Sequence, residues 1–122
     1  MKLFLAANLI GVKDVNKAQK WYATVFKMKL VELKAPDFCE MKLGNSHFLL
    51  EKSSKKRAIG FQKIPTGVQI SAIIGVDNID MFIKHCKKRE VHIIQKPIQQ
   101  KWGGWNAIIK DPDGNSIIID QD

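Results

Sequence analysis

His47, His85, His92, Cys39, Cys86 and the run Trp102-Gly103-Gly104-Trp105 are the residues of this 122-residue chain whose chemistry could reach beyond packing. The three imidazoles fall on three different predicted elements, so none forms the i, i+4 helical pair of a zinc-binding helix. His85 belongs to a helix and is expected at its surface. His92 sits among apolar neighbours in a strand, which suits a hydrogen-bonded structural imidazole. The two thiols lack close spacing, which argues against a metal knuckle or disulfide framework and for two buried, unpaired cysteines. No Ser or Cys stands in a nucleophile elbow, and Gly103-Gly104 does not make a phosphate loop. The two indoles around two glycines can form a flat apolar platform on permissive backbone, either for a planar ligand or as a seal over a cup-shaped pocket or a dimer contact.

The formal charge of +8, with 45% hydrophobic and 26% charged residues, describes an ordinary globular composition with a basic surface. Lysines are spread along the chain and cluster at Lys55-Lys56-Arg57 and Lys87-Lys88-Arg89, without the interleaved aromatics of a base-stacking surface, so nucleic acid is not an expected partner. No apolar run approaches the roughly 18 residues that cross a bilayer, so no membrane partner is expected either. The start, Met1 to Ile10, reads as a strand rather than a secretion signal, because Asn8 interrupts it and no longer basic lead precedes it. The expected location is cytoplasmic.

The elements that must position these residues follow from periodicity. Residues 3–12 suit a strand buried on both faces. Asp14 is placed to cap a helix over Val15–Phe26, whose Val15, Ala18, Tyr22 and Val25 make an apolar stripe of helical period. Trp21 and Tyr22 read as core packing. Strands are expected over Lys29–Leu33, Cys39–Leu43 and His47–Lys52, the last two joined at Gly44-Asn45. Residues 53–66 have no clean period and read as a linker or flap. The order then repeats: a strand over Val68–Ile74, a helix capped by Asp77 and running to about Arg89, a strand over Val91–Gln95 ended by Pro97, and a hairpin with arms Trp105–Lys110 and Ser116–Asp120. Ile79, Phe82, Ile83 and Cys86 form the inner stripe of the second helix. The expected domain therefore spans 1–122, with a βαβββ unit over 1–52, a linker over 53–66 and a second βαβββ unit over 67–122.

Three stretches in this order resemble one family. Val12-Lys13-Asp14 followed by Trp21-Tyr22 and Phe26-Lys27-Met28 resembles the "V-x-D … F-Y … L-G-M" of the vicinal oxygen chelate superfamily, the glyoxalase, bleomycin resistance and extradiol dioxygenase group. Val76-Asp77-Asn78 resembles the equivalent start of its second half, and Asp111-Pro112-Asp113-Gly114-Asn115 resembles its closing hairpin. Lys27 departs from the usual Gly, so another residue is expected to close that helix. The resemblance implies an α+β fold in which two tandem βαβββ units form a curved mixed-sheet cup, and a homodimer with halves paired between chains.

Metal-using members of that family carry four ligands in the cup, commonly His or Gln, Glu, His and Glu, which suit Zn, Ni, Fe or Mn. Carried over by register, these positions are Ala7, Leu49, Ser71 and Ile118, which offer one hydroxyl and no other donor. The resemblance therefore implies no cofactor and a small-molecule (drug or metabolite) binding protein, an antibiotic-resistance type of function, rather than an enzyme. The binding residues expected are Ala7, Phe38, His47, Leu49, Gln69, Ser71, Trp102, Trp105, Ile118 and Asp120, with Phe48 disfavoured by strand parity. A small planar ligand, neutral or anionic, fits the basic surface better than cationic bleomycin. The alternative is a metal-dependent lyase or dioxygenase, lactoylglutathione lyase-like or dioxygenase-like, with a divalent Zn, Ni, Fe or Mn at a rearranged site built from His47, Glu51 and Asp120. A third reading is an interaction domain whose cup is filled by its own side chains.

Overall fold

The computed structural model describes residues 1–53, 67 and 71–122. The chain divides into two compact units, 1–66 and 67–122, each a βαβββ arrangement with one helix on one face of a four-stranded mixed sheet. The expected linker lies outside the described residues save for Ser53, as do the first three residues of the expected strand over 68–74.

The first unit comprises β1 (Asn8–Val12), α1 (Val15–Phe26), β2 (Lys29–Lys34), β3 (Phe38–Leu43) and β4 (Ser46–Lys52), with sheet order β1-β4-β3-β2. α1 begins where expected because the Asp14 side chain accepts from the Lys17 N–H at 3.1 Å. Its inner residues Val15, Ala18, Tyr22, Val25 and Phe26 are buried against β3 and β4, where Cys39, Met41, Phe48 and Leu50 are buried too, as are Ile10 and Val12 of β1. Each such large apolar side chain contributes roughly 1.5–3 kcal/mol on burial. Tyr22 is 1% exposed, and the half-buried Trp21 ring meets it edge-on at 4.9 Å. The β3–β4 hairpin turns at Gly44-Asn45, with Leu43 opposite Ser46 and Gly44 at φ 58°.

Two expectations for this unit need correction. The first strand starts at Asn8, not residue 3, and Leu3, Phe4 and Leu5 are 84%, 77% and 78% exposed rather than buried on both faces. β1 pairs along β4 from Asn8↔Phe48 to Val12↔Lys52, and β4 itself begins at Ser46, after the turn. Continued in that register, residue 6 would stand opposite Ser46, so Leu3, Phe4 and Leu5 run past the end of their partner strand. The second correction is at Lys27. It closes α1 itself, in the left-handed region at φ 56°, ψ 30°, with its N–H donating to the Tyr22 carbonyl. No other residue is required.

The second unit comprises β5 (Ala72–Gly75), α2 (Ile79–Lys88), β6 (His92–Gln99), β7 (Trp105–Lys110) and β8 (Ser116–Gln121), with order β5-β8-β7-β6. Its core is Ile74, Ile79, Ile83, Cys86, Val91, Ala107, Ile109, Ile117 and Ile119. Phe82 is half-buried beside this stripe and stacks on His85 at 5.9 Å. The helix cap is Asn78, whose side chain accepts from the Met81 N–H at 3.1 Å, one residue beyond the expected Asp77. β6 runs through Pro97 instead of stopping before it. It is the edge strand, and its register with β7 shifts between Gln95 and Ile98, so the missing N–H of proline costs no ladder bond. The β7–β8 turn is closed from within: Asp111 is 4% exposed and its carboxylate accepts from the N–H groups of Asp113 and Asn115 and from the Asn115 amide. Gly114 supplies φ 82°.

Candidate functional site

A sheet covered by a helix on one face leaves its other face to carry chemistry. Strand parity decides which residues those are, and register decides which stand side by side. In the first unit Cys39, Met41, Phe48 and Leu50 face α1, so their neighbours in sequence form the helix-free face. Three rows cross it. Lys29 lies opposite Lys42, and Lys42 opposite His47; Glu32 lies opposite Glu40, Glu40 opposite Leu49, and Leu49 opposite Leu9; Lys34 lies opposite Phe38, Phe38 opposite Glu51, and Glu51 opposite Gly11. His47 Nδ1 bonds Glu40 Oε2 at 2.6 Å across the first two rows, and Lys34 Nζ lies 3.5 Å from Glu32 Oε1. Ala7 precedes β1, two residues before Leu9, and is half-buried.

The helix-free face of the second unit is laid out the same way. Its central row is apolar: Ile73, Ile118 and Ile108, ending at Gln95. One flank carries Gly75, Asp120, Asn106 and Ile98. With its amide nitrogen turned to Asp120, Asn106 donates to Asp120 Oδ1 at 2.7 Å and to the Trp105 carbonyl at 2.9 Å. The other flank carries Ser116, Lys110 and His92. Beside it the Ser71 hydroxyl donates to the Ser116 carbonyl at 3.1 Å.

The expected binding residues thus divide by unit. His47, Leu49 and Phe38 share the helix-free face of the first sheet, with Glu51 beside Phe38. Ile118 and Asp120 share that of the second, with Ser71 at its edge. Gln69 lies outside the described residues. Trp105 has the parity of Ala107 and Ile109, the residues buried under α2, so the strand sends it to the opposite face from Ile118. Trp102 is 72% exposed in a turn held by the Gly103 N–H to the Gln100 carbonyl at 2.9 Å and the Gln100 N–H to the Gly104 carbonyl at 2.7 Å. A Cβ on Gly104 would stand 3.0 Å from Trp102 Nε1, so the indole lies over that glycine.

His92 is exposed at the start of β6, and among the described residues no hydrogen bond holds its ring, so it is not the hydrogen-bonded structural imidazole expected. Cys39 and Cys86 are fully buried and unpaired, and burial pushes each thiol up to about 11, which makes them poor nucleophiles and poor ligands. Among the described residues no group of three or more His, Cys, Asp or Glu is placed to hold a metal ion. No helix among them is long and apolar enough to cross a membrane. Glu40, Lys42 and Lys29 escaped notice in the sequence. The signal was there: a two-residue turn at Gly44-Asn45 sets Lys42 opposite His47 and puts Glu40 one row on.

Comparison with known proteins agrees with this layout. The model of the Glyoxalase/Bleomycin resistance protein/Dioxygenase superfamily matches residues 5–119. A member of that superfamily from Sphaerobacter thermophilus superposes with a TM-score of 0.83 at 19% identity, covering 99% of this chain and 98% of that one. Lactoylglutathione lyase from Agrobacterium tumefaciens gives 0.81 at 19% identity, covering 99% and 95%. An integron cassette protein from the mobile metagenome of V. cholerae gives 0.76 at 21%, covering 99% and 97%. At such identities the likeness is one of fold. No curated protein matches the sequence.

Proposed function

Because this chain belongs to the glyoxalase/bleomycin resistance protein/dioxygenase superfamily, we propose that it is a non-enzymatic binding protein for a small planar drug or metabolite, neutral or anionic. One observation carries the reading. The four positions that resemblance assigns to metal ligands hold side chains without the means: Ala7, Leu49 and Ile118 have no donor atom, and Ser71 offers a single neutral hydroxyl, a poor ligand, turned towards the Ser116 carbonyl. A face without a Lewis acid can hold a ligand but has no such group to polarise it. Apolar Leu9, Leu49 and Phe38 on the helix-free face of the first unit offer flat contact for a planar body, and Ile73, Ile108 and Ile118 make a separate apolar row on that of the second. The proposal includes a cytoplasmic homodimer.

The test has two arms. Protein purified without chelator is assayed for Zn, Ni, Fe and Mn, and its tryptophan fluorescence is screened against planar metabolites and antibiotics. We expect sub-stoichiometric metal and a saturable change with at least one neutral or anionic compound. Stoichiometric metal that is lost in His47→Ala or Glu51→Ala overturns the reading in favour of a lyase or dioxygenase. Silence from every compound points instead to an interaction domain. Sedimentation velocity checks the dimer.

A further inference from the structure

We propose that the helix-free face of the first unit is an oxyanion-binding surface, on which Lys42 and Lys29, with the His47 ring beside them, take the carboxylate or phosphate of a ligand whose planar body lies on Leu49, Leu9 and Phe38. This rests on the binding-protein reading and adds what the ligand must carry.

The register places Lys29, Lys42 and His47 in one row across three adjacent strands, so neighbouring members start about 5 Å apart. That spacing lets two of them reach the two oxygens of one oxyanion. The acidic row beside them is already engaged. Glu40 bonds the Nδ1 side of His47, and Glu32 lies against Lys34. Among the described residues neither Lys29 nor Lys42 has an ion-pair partner within 4.0 Å. The bond to Glu40 fixes the imidazole ring and leaves Nε2 for a ligand. Nε2 donates to an oxyanion when protonated and can only accept when it is not.

At 35% and 30% side-chain exposure, His47 and Glu40 are accessible yet held. The apolar residues of the next two rows, Leu49, Leu9 and Phe38, give a floor on the same face. The charged groups facing His47 on this sheet are Lys29, Glu32 and Lys34 from β2, Glu40 and Lys42 from β3, and Glu51 from its own strand; β1 contributes none, and α1 lies on the other face. With Lys34 set against Glu32 and Glu40 against His47, Lys29 and Lys42 are the cations this mixed field leaves for an anion.

The test titrates the full chain with three probes, naphthoate, naphthyl phosphate and uncharged naphthamide, by calorimetry at one fixed pH near neutrality. We expect at least one anionic probe to bind about tenfold more tightly than naphthamide, the order of one charge-assisted hydrogen bond. Which anion wins separates a carboxylate from a phosphate ligand. His47→Asn and Lys42→Met each lower anion affinity, Lys42→Met by about tenfold, while naphthamide is unchanged. Both variants are checked for a wild-type circular dichroism spectrum, and Lys29→Met serves as the second variant if Lys42→Met fails it. Equal affinity for naphthamide and the anions overturns the oxyanion inference alone. Unchanged anion binding in folded His47→Asn and Lys42→Met overturns it as well. Binding of none of the three overturns it too, and only the wider fluorescence screen then decides the underlying reading.

Discussion

Replacing Asp111 by alanine should be among the most damaging single changes outside the apolar core. The carboxylate accepts from the Asp113 N–H at 2.9 Å, the Asn115 N–H at 2.8 Å and the Asn115 side-chain amide at 2.9 Å, all at 4% exposure. Hydrogen bonds to a charged acceptor are worth about 1.5–3 kcal/mol each, and a buried donor left without one costs about 1–3 kcal/mol. Asp113 is half-buried, so its N–H can turn to water. Asn115 is 0% exposed, so its two donors cannot. Two buried donors that lose this charged acceptor put the loss at about 3–5 kcal/mol, a large part of the roughly 5–15 kcal/mol that a domain of this kind has in total. Urea unfolding followed by tryptophan fluorescence reads it as a lower midpoint at unchanged slope. Asp111→Asn keeps the acceptor for the two backbone groups and sets an amide against the Asn115 amide, so about 1–2 kcal/mol is expected. A loss under 1 kcal/mol for Asp111→Ala would refute the reasoning, because it would mean the turn is held by the β7–β8 ladder alone.

Two other changes test the local physics. Lys27→Gly should stabilise the chain by about 0.5–1 kcal/mol in the same assay, since φ 56° strains a residue with a Cβ and suits glycine; a neutral or negative result would mean that the lysine stem packs usefully where it lies. The two thiols set an alkaline limit. Below the ordinary value of 9.0 both are protonated folded and unfolded; between 9.0 and about 11 the unfolded chain releases protons that the folded chain retains. Stability therefore falls as pH rises through that window, by up to about 2–3 kcal/mol per thiol. A Cys39→Ala/Cys86→Ala double variant, less stable at neutral pH because of the space it leaves, should lose less than the wild-type chain between about pH 8 and about pH 10.5. Equal losses in the two proteins would place the alkaline sensitivity elsewhere.

Local signals fared best where one element's own residues decide it. α1 carries its cap at Asp14 and its buried stripe from Val15 to Val25 within itself, so its bounds could be read before any packing was known. The β3–β4 hairpin is similar: Gly44 alone supplies the backbone that the turn requires. β1 is different. Leu3-Phe4-Leu5 lie beyond the point where β4 turns away, and nothing in those residues records that. Pro97 misled for a related reason, because a proline breaks a central strand but not an edge, and edge position belongs to the sheet rather than to the residue. Lys27 shows the weaker grade of rule: glycine is preferred in the left-handed region but is not obligatory there.

The candidate site divides along the same line. Resemblance could point to Ala7, Leu49, Ser71 and Ile118 because it compares one position at a time. What those positions lack was therefore visible early. What the first face possesses was harder to see, since Lys29, Lys42 and His47 lie far apart in sequence and become a row only through two hairpin registers. Trp105 shows the same dependence: its step of two to Ala107 is in the sequence, but the burial of Ala107 and the pairing of Ile118 with Ile108, which separate Trp105 from Ile118, belong to the packed sheet. A ligand is recognised by a row, so the chemistry of binding sits at the level where strands are paired. The His47–Glu40 bond makes that concrete: its two residues come from neighbouring strands, and a shift of one residue in the Gly44-Asn45 turn would send one of them to the face under α1 and dissolve both the bond and the basic row.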